Sequence, residues 1–302
     1  MDYVLGVDVS KHQGVMDWQK CYNAGARYAI IRAGSIDSIT GVCYEDYQFQ
    51  RNSEIAPEYM PCGYYWYMRP NFDAFKQSDF FSNLINGKPR KLPAVDDAEA
   101  IVNMEMMYIE KRHRQFCEAM DENTNDTTMI YSNVGYWSYP NIYAKKGIPA
   151  WAAVRPFWVA NFTIADKPWM PVTWDEWLFW QFSADGNGLG HEFGATGSHA
   201  IDLNRFNGDM DTFLEYIGAE VPEPPDPPPD PEPEPPHEIF LPYIAKVTAE
   251  RGLFTHVTPD ALESTRAGSL AFNTEVEVTA EDGIWRKCKA EYWSHGNYLA
   301  RV

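Results

Sequence analysis

Short apolar runs, most of them closed by a polar or charged residue, recur through the first two thirds of the chain. Tyr3–Val9, Tyr28–Ala33, Pro61–Met68, Lys91–Glu99, Thr127–Ser132, Phe157–Asn161, Trp177–Phe182 and Ala200–Asn204 are eight such runs. The unbroken apolar character of Tyr28–Ile31, ended by Arg32, is that of a strand buried on both faces of a parallel sheet. Helical patterns fall between several of the runs. Asp17-Trp18 opens a helix reaching about Gly25, and Asn71 is placed to cap one carrying Phe72, Phe75 and Phe80. Residues 100–122 are the longest helical stretch, with Ile101, Met104, Tyr108 and Ile109 at near-helical spacing and a polar turn at Glu122–Asn125. Eight strands alternating with mostly helical connectors predict an α/β fold, an irregular (β/α)8-type barrel. Connectors such as Tyr139-Pro140 and Pro168–Pro171 are poor helices, so the helical ring is expected to be incomplete.

Such a barrel carries its reactive residues at the C-terminal ends of its strands. The polar ends here are Asp8, Arg32, Asp97 with Glu99, Ser132 with Asn133, Asn161, Gln181 and Asp202. The run Lys91–Glu99 stands out because it breaks into three carboxylates within four residues. On a strand, Asp97 and Glu99 share one face while Asp96 and Ala98 take the other. Two carboxylates so close repel each other, which holds one protonated while the other stays ionised.

The pattern changes after residue 218. Residues 222–237 hold ten prolines and five acids in sixteen positions, a semi-rigid acidic spacer of roughly 50 Å at about 3.1 Å per residue. Beyond it come short β-rich pieces at 245–248, 270–272, 275–279, 284–288 and 298–302, separated by turn signals such as Glu281-Asp282-Gly283. The expected organisation is a barrel domain over 1–218, a linker over 219–238 and a small all-β domain over 239–302.

Charge and composition narrow the chemistry. A formal charge of −18 makes nucleic acid and anionic lipid unsuitable partners. Five widely spaced cysteines without a C-x-x-C pair read as reduced, mostly buried thiols rather than a disulfide framework or a zinc site. The N-terminal MDYVLGVDVSKHQG shows no signal-peptide pattern and no apolar run is long enough to span a bilayer. The expectation is synthesis in a cytosol and no membrane insertion; if the substrate lies outside the cell, something else must let the protein out.

Asp8, Asp97, Glu99 and Asp202 meet at one end of the predicted barrel. That four-carboxylate mouth suits either a cationic transition state or, with His12, a divalent metal ion. Six blocks then point one way: GVDVSKHQGVMDW (6–18), VDDAE (95–99), IYSN (130–133), FWVANF (157–162), WQFS (180–183) and IDLNRF (201–206). In this order they resemble the glycoside hydrolase family 25 muramidases, the Chalaropsis-type lysozymes often found as bacteriophage endolysins. Lys11 is a departure, since a second histidine is common there. The resemblance implies cleavage of the β-1,4 bond between N-acetylmuramic acid and N-acetylglucosamine in peptidoglycan, without cofactor or metal. It implies Glu99 as general acid, Asp97 as the carboxylate that stabilises the oxocarbenium-like centre or orients the substrate's acetamido group, and Asp8 and Asp202 as supporting acids.

Tyr65, Tyr131, Gln181, Arg32 and His12 are candidates for sugar binding. The aromatic ones are equally consistent with core packing, Arg32 with a structural ion pair and His12 with a hydrogen-bonded loop residue. VTAERGLFTHVTPD (247–260) and GIWRKC (283–288) resemble a bacterial SH3-like domain. That resemblance makes the tail a cell-wall-binding module, with Trp285, Tyr292, Trp293 and Tyr298 as candidate contacts or, alternatively, core fillers. Two other functions remain open on sequence: a non-catalytic glycan-binding wall protein, and a hydrolase of another glycan such as chitin.

Overall fold

The computed structural model describes residues 3–137 and 149–218, and in the C-terminal part 243–249, 252–256, 266–282, 285–288, 293–295 and 299–301. The chain divides into two compact units, Met1–Pro227 and Pro228–Val302. The expected linker 219–238 lies outside the described residues.

All eight expected strands form in the first unit: β1 (Val4–Val9), β2 (Ala29–Ile36), β4 (Cys62–Tyr67), β5 (Ala94–Asp97), β6 (Met129–Asn133), β7 (Phe157–Ala160), β8 (Phe179–Ser183) and β9 (Asp202–Phe206). A short additional strand, β3 (Cys43–Glu45), pairs antiparallel with the end of β2. Neighbouring strands from β1 through β8 pair in parallel, and β9 closes the barrel by pairing with both β8 and β1. Both β9 pairings are antiparallel, which departs from a regular (β/α)8 barrel. The cause is the connection. A parallel return needs a crossover to the far end of the sheet, whereas the chain between β8 and β9 forms only turns and a short 3-10 helix over Gly186–Gly188. The strand therefore starts at the end where β8 finishes.

Side chains alternate inward and outward along every strand. Val4, Tyr28, Ile30, Val95, Met129, Phe179 and Phe206 form the cluster that fills the barrel. Phe213 and Ile217 of the last helix in this unit, α7 (Met210–Ile217), join that cluster and close the lower end. Outward residues such as Ile31, Trp66, Ile130 and Trp180 pack against the helical layer in a second cluster. That layer comprises α1 (Trp18–Asn23), α2 (Phe49–Ile55), α3 (Ala74–Ile85), α4 (Met106–Thr124), α5 (Val134–Trp137) and α6 (Ala150–Ala153). Asp17 caps α1 through a bond from Lys20 N, as its position suggested. For α3 the cap is Asp73 rather than Asn71, and Phe75 is exposed while Phe81 and Ile85 are buried. The helix expected from residue 100 begins only at Met106; Ile101 is 95% exposed in the loop that follows β5.

All five cysteines are free and buried, and no helix among the described residues is long and apolar enough to cross a membrane. Among the described residues the second unit forms one sheet of seven strands. It includes Leu253–His256 and Trp293–His295, which the apolar pattern did not reveal. Tyr292 and Tyr298 lie outside the described residues; Trp285 and Trp293 fall on strands, and their side chains are outside the description.

Gly6 faces the barrel interior between Val4 and Asp8, where an added Cβ would lie 2.3 Å from the ring of fully buried Tyr28. The missing side chain is what lets that ring fill the centre. Gly6→Ala is expected to destabilise the first unit by about 1–3 kcal/mol, the usual range for overpacking. The readout is a lower denaturation midpoint with an unchanged denaturant slope.

Candidate active site

The inward side chains change character from one end of the barrel to the other. Two residues beyond the apolar layer, Val95 gives way to Asp97, Met129 to Tyr131 and Phe179 to Gln181; beyond Ile30 comes Arg32. Because β9 runs the other way, its polar residues precede the apolar one: Asp202 and Asn204 lie at the upper end and Phe206 below. Asp202 thus reaches the site from the start of its strand, not from its end as a regular barrel would require. The register sets Asp8 directly opposite Asp202.

Asp8, Tyr65, Asp97, Glu99, Tyr131, Trp158, Gln181 and Asp202 line one cavity of about 100 Å³. Seven of these were expected from sequence; Trp158 was not. Its ring centroid stands 4.4 Å from that of Tyr131 and 6.3 Å from that of Tyr65, so the three rings form one aromatic wall. Arg32 is half-buried, with its guanidinium 5.1 Å from the Tyr67 ring. His12 is exposed on a 3-10 turn, Lys11–Gln13, and does not line the cavity. Among the described residues no three His, Cys, Asp or Glu side chains are grouped to hold a metal ion.

A chain of hydrogen bonds fixes the floor. Tyr131 donates its hydroxyl hydrogen to Gln181 Oε1 at 2.8 Å, and Gln181 Nε2 donates to Asp8 Oδ2 at 2.9 Å. Asn204 Nδ2 donates to the same Asp8 oxygen at 2.8 Å, while Asn204 Oδ1 accepts from Trp158 Nε1 at 2.8 Å. Asn204 was not among the expected site residues, although the alternation that turns Asp202 inward turns it inward too.

The strand ends at Asp97, so Glu99 lies just beyond it, yet both acids reach the cavity. Ala98 keeps the backbone in line: its N–H donates to Tyr131 O at 2.9 Å and its carbonyl accepts from Ser132 Oγ at 2.6 Å. Asp96 faces the opposite way, fully buried against α4, with Oδ2 at 2.8 Å from His113 Nδ1. His113 Nε2 in turn lies 2.9 Å from the Tyr136 hydroxyl. This network holds the strand from behind.

Burial dominates the electrostatics. It pushes Asp8 up to about 6 against the bonds from Asn204 and Gln181, and Asp202 up to about 9 with help from the facing Asp8 charge. Of the two, Asp202 is the acid favoured in its protonated form, with its hydroxyl hydrogen bonded to Asp8. Asp97 is raised well above the ordinary carboxylate range by burial and then by Glu99. Glu99, half-buried, is raised by burial alone, and Arg32 pulls it back down. The repulsion expected from the D-x-E spacing thus acts on Asp97, while desolvation is what raises Glu99. Asp97 Oδ1 is buried with no hydrogen-bond partner, a cost that a ligand in the cavity would relieve.

A family model described as Glycosyl hydrolases family 25 matches residues 7–191. The chain is 30% identical over 216 residues to Lysozyme M1 of Streptomyces globisporus, a match covering 68% of each protein. It is similar to the bacterial lysozyme of Streptomyces coelicolor, with 25% identity and a TM-score of 0.59 over 72% of this chain and 98% of that one. The spore cortex lytic enzyme SleM of Clostridium perfringens shares the fold over 99% of this chain and 97% of that one, with a TM-score of 0.57 at 16% identity. A family match over more than half the chain, ending in the same barrel, means that this protein belongs to the family 25 glycosyl hydrolases and is a glycoside hydrolase.

Proposed function

We propose that the chain is a lysozyme that hydrolyses the β-1,4 bond between N-acetylmuramic acid and N-acetylglucosamine in peptidoglycan, with Glu99 as the general acid. The observation that carries this reading is the convergence of four carboxyl groups, all with raised pKa values, on one small cavity. The Asp97–Glu99 pair retains a proton above the ordinary carboxylate range, and Glu99 is its solvent-open member, so Glu99 can pass that proton to a leaving oxygen. Asp97, facing the cavity, orients the acetamido group of the substrate or, once ionised, stabilises positive charge at the sugar carbon. Asp8, raised to about 6 by burial, has three donors, Gln181, Asn204 and Asp202, that favour its anion and let it add to the negative field as pH rises through that value. Tyr65, Tyr131 and Gln181 are the sugar contacts, on a wall that Trp158 completes.

The all-β unit is read as an SH3-like module that binds the cell wall, with Trp285, Tyr292, Trp293 and Tyr298 as contacts, and 219–238 as its tether. A tethered module raises the local concentration of the catalyst at an insoluble polymer. An endolysin role, with release through a separate pore, is the biological setting this organisation suits; it rests on the sequence resemblance.

Glu99→Gln is expected to lower kcat on purified peptidoglycan by about 10²–10⁴-fold while remaining folded. The assay is release of reducing ends, with mass spectrometry locating muramic acid at the new end. Muramic acid there supports the reading, whereas release from chitin alone would sink it. Because Glu99 acts as an acid with a raised pKa, wild-type kcat/KM is expected to fall as pH rises through a value above 4.5, the ordinary one for glutamic acid.

Asp202 supplies a second check. A carboxyl raised from 3.8 to about 9 on folding contributes stability that is fully present below 3.8 and lost as pH rises through about 9. Asp202→Asn keeps a donor to Asp8 without that penalty. Its melting temperature, relative to wild type, is expected to climb by several degrees between about pH 4 and about pH 8. A constant difference would mean that Asp202 is not buried as a proton carrier.

Residues 1–220 alone are expected to retain activity on soluble glycan fragments and to lose it on intact cells. Full activity of that fragment on cells would remove the targeting role from the second unit.

A further inference from the structure

One cation at the mouth has no part in the acid chemistry above. Arg69 follows the end of β4 by two residues, and the residue before it, Met68, donates its N–H to the carbonyl of Asp97 at 3.2 Å. The Arg69 guanidinium stands 5.1 Å from the Tyr67 ring centroid, the same distance as that of Arg32. Neither arginine takes part in an ion pair with another described residue. The Nε of each is buried with no hydrogen-bond partner. The charge of Arg32 is partly answered by Asp97 and Glu99. Arg69 faces Tyr67 and, more weakly, Asp37 in the turn between β2 and β3.

The backbone that carries Arg69 is held with unusual care. Gln77 of α3 is fully buried, and its Oε1 accepts from Arg69 N and from Trp66 Nε1, each at 3.1 Å. Its Nε2 donates to Arg69 O at 3.0 Å and to Asp73 O at 3.2 Å. A buried amide thus fixes both polar groups of one loop residue whose own side chain bonds to nothing described. Burying the Nε of each guanidinium beside one ring with no hydrogen-bond partner costs free energy.

We propose that Arg32 and Arg69, both beside Tyr67, form a carboxylate-binding subsite of the cleft. It takes an anionic group on the glycan, either the lactyl carboxylate of a muramic acid residue or a carboxylate of the peptide joined to it. The inference rests on the peptidoglycan reading and adds the group recognised. Guanidinium forks match a carboxylate with paired, charge-assisted hydrogen bonds. They also answer a difficulty of the molecule as a whole. A chain of net charge −18 with four carboxyl groups in its mouth repels an anionic polymer unless cations meet it locally.

The test compares glycan strands with free carboxylates against the same strands with those carboxyls capped as methylamides. Each is prepared both peptide-bearing and peptide-stripped. Wild type is expected to favour the free form by about tenfold in kcat/KM, the yield of one charge-assisted bond. In Arg69→Gln that preference should collapse towards unity, and Arg69→Lys should keep part of it. A preference confined to stripped strands identifies the lactyl carboxylate, and one confined to peptide-bearing strands identifies the peptide. Equal cleavage of free and capped strands by wild type, or a preference that survives Arg69→Gln, overturns the inference alone. No cleavage of any strand by folded wild type overturns the muramidase reading and this inference with it.

Discussion

Desolvation of carboxyl groups by a closed barrel is the constraint on which the rest of the first unit depends. Asp8, Asp97 and Asp202 are held where water is largely excluded, and each keeps a proton longer than it would in solution. Nothing in their local sequence achieves this. It requires eight strands closed edge to edge, an apolar plug of Tyr28, Met129, Phe179 and Phe206 beneath, and polar partners spaced to receive each acid. The barrel tolerates the cost because Gln181 and Asn204 both bond the Asp8 carboxylate. Replacing either would leave a buried charge with fewer donors, which costs more than the bond itself was worth.

Much of this was legible in the chain because it rests on local periodicity. The eight barrel strands show as apolar runs, and the placement of Asp8, Asp97, Glu99, Tyr65, Tyr131 and Gln181 at one end follows from strand polarity and alternation. What was not legible depends on partners far away in sequence. The direction of β9 is set by a connection without a crossover helix, and only that direction explains how Asp202 and Asn204 reach the mouth. Trp158 reads as one more core aromatic until the Tyr131 and Tyr65 rings are seen beside it. The early start given to α4 has a similar origin: Ile101 and Met104 follow helical spacing, but residues 100–105 form the loop beyond Glu99 and leave Ile101 in solvent. Local pattern specifies element type well and loses force where tertiary context overrides it.

The two sides of β5 do separate jobs with adjacent residues of the same type. Each leaves Oδ1 without a hydrogen-bond partner, but Asp97 looks into the cavity and Asp96 looks out to His113, which in turn meets Tyr136. A one-residue slip of this strand would exchange the two, placing Asp96 in the cavity and Asp97 against α4. The buried imidazole would meet an aspartate in either register, so the choice falls to the neighbour: a slip would turn Val95 out of the cluster that fills the barrel.

The reversal of β9 also bears on when the enzyme comes into being. Val4 pairs with Phe206, and Asp8 with Asp202, across about 200 residues of chain, among the longest-range contacts the first unit can make. Loop closure of that length is entropically expensive and is made late, after the locally connected β1–β8 units have collapsed. A chain emerging from the ribosome can build most of the parallel wall, with Asp97 and Glu99 already on it, before the strand bearing Asp202 and Asn204 has been made. Until that strand docks, Asp8 lacks two of its donors and the cavity lacks its last wall. Completion of the fold and completion of the acid set are then a single event, and a partly synthesised chain carries the residues of a hydrolase without their chemistry.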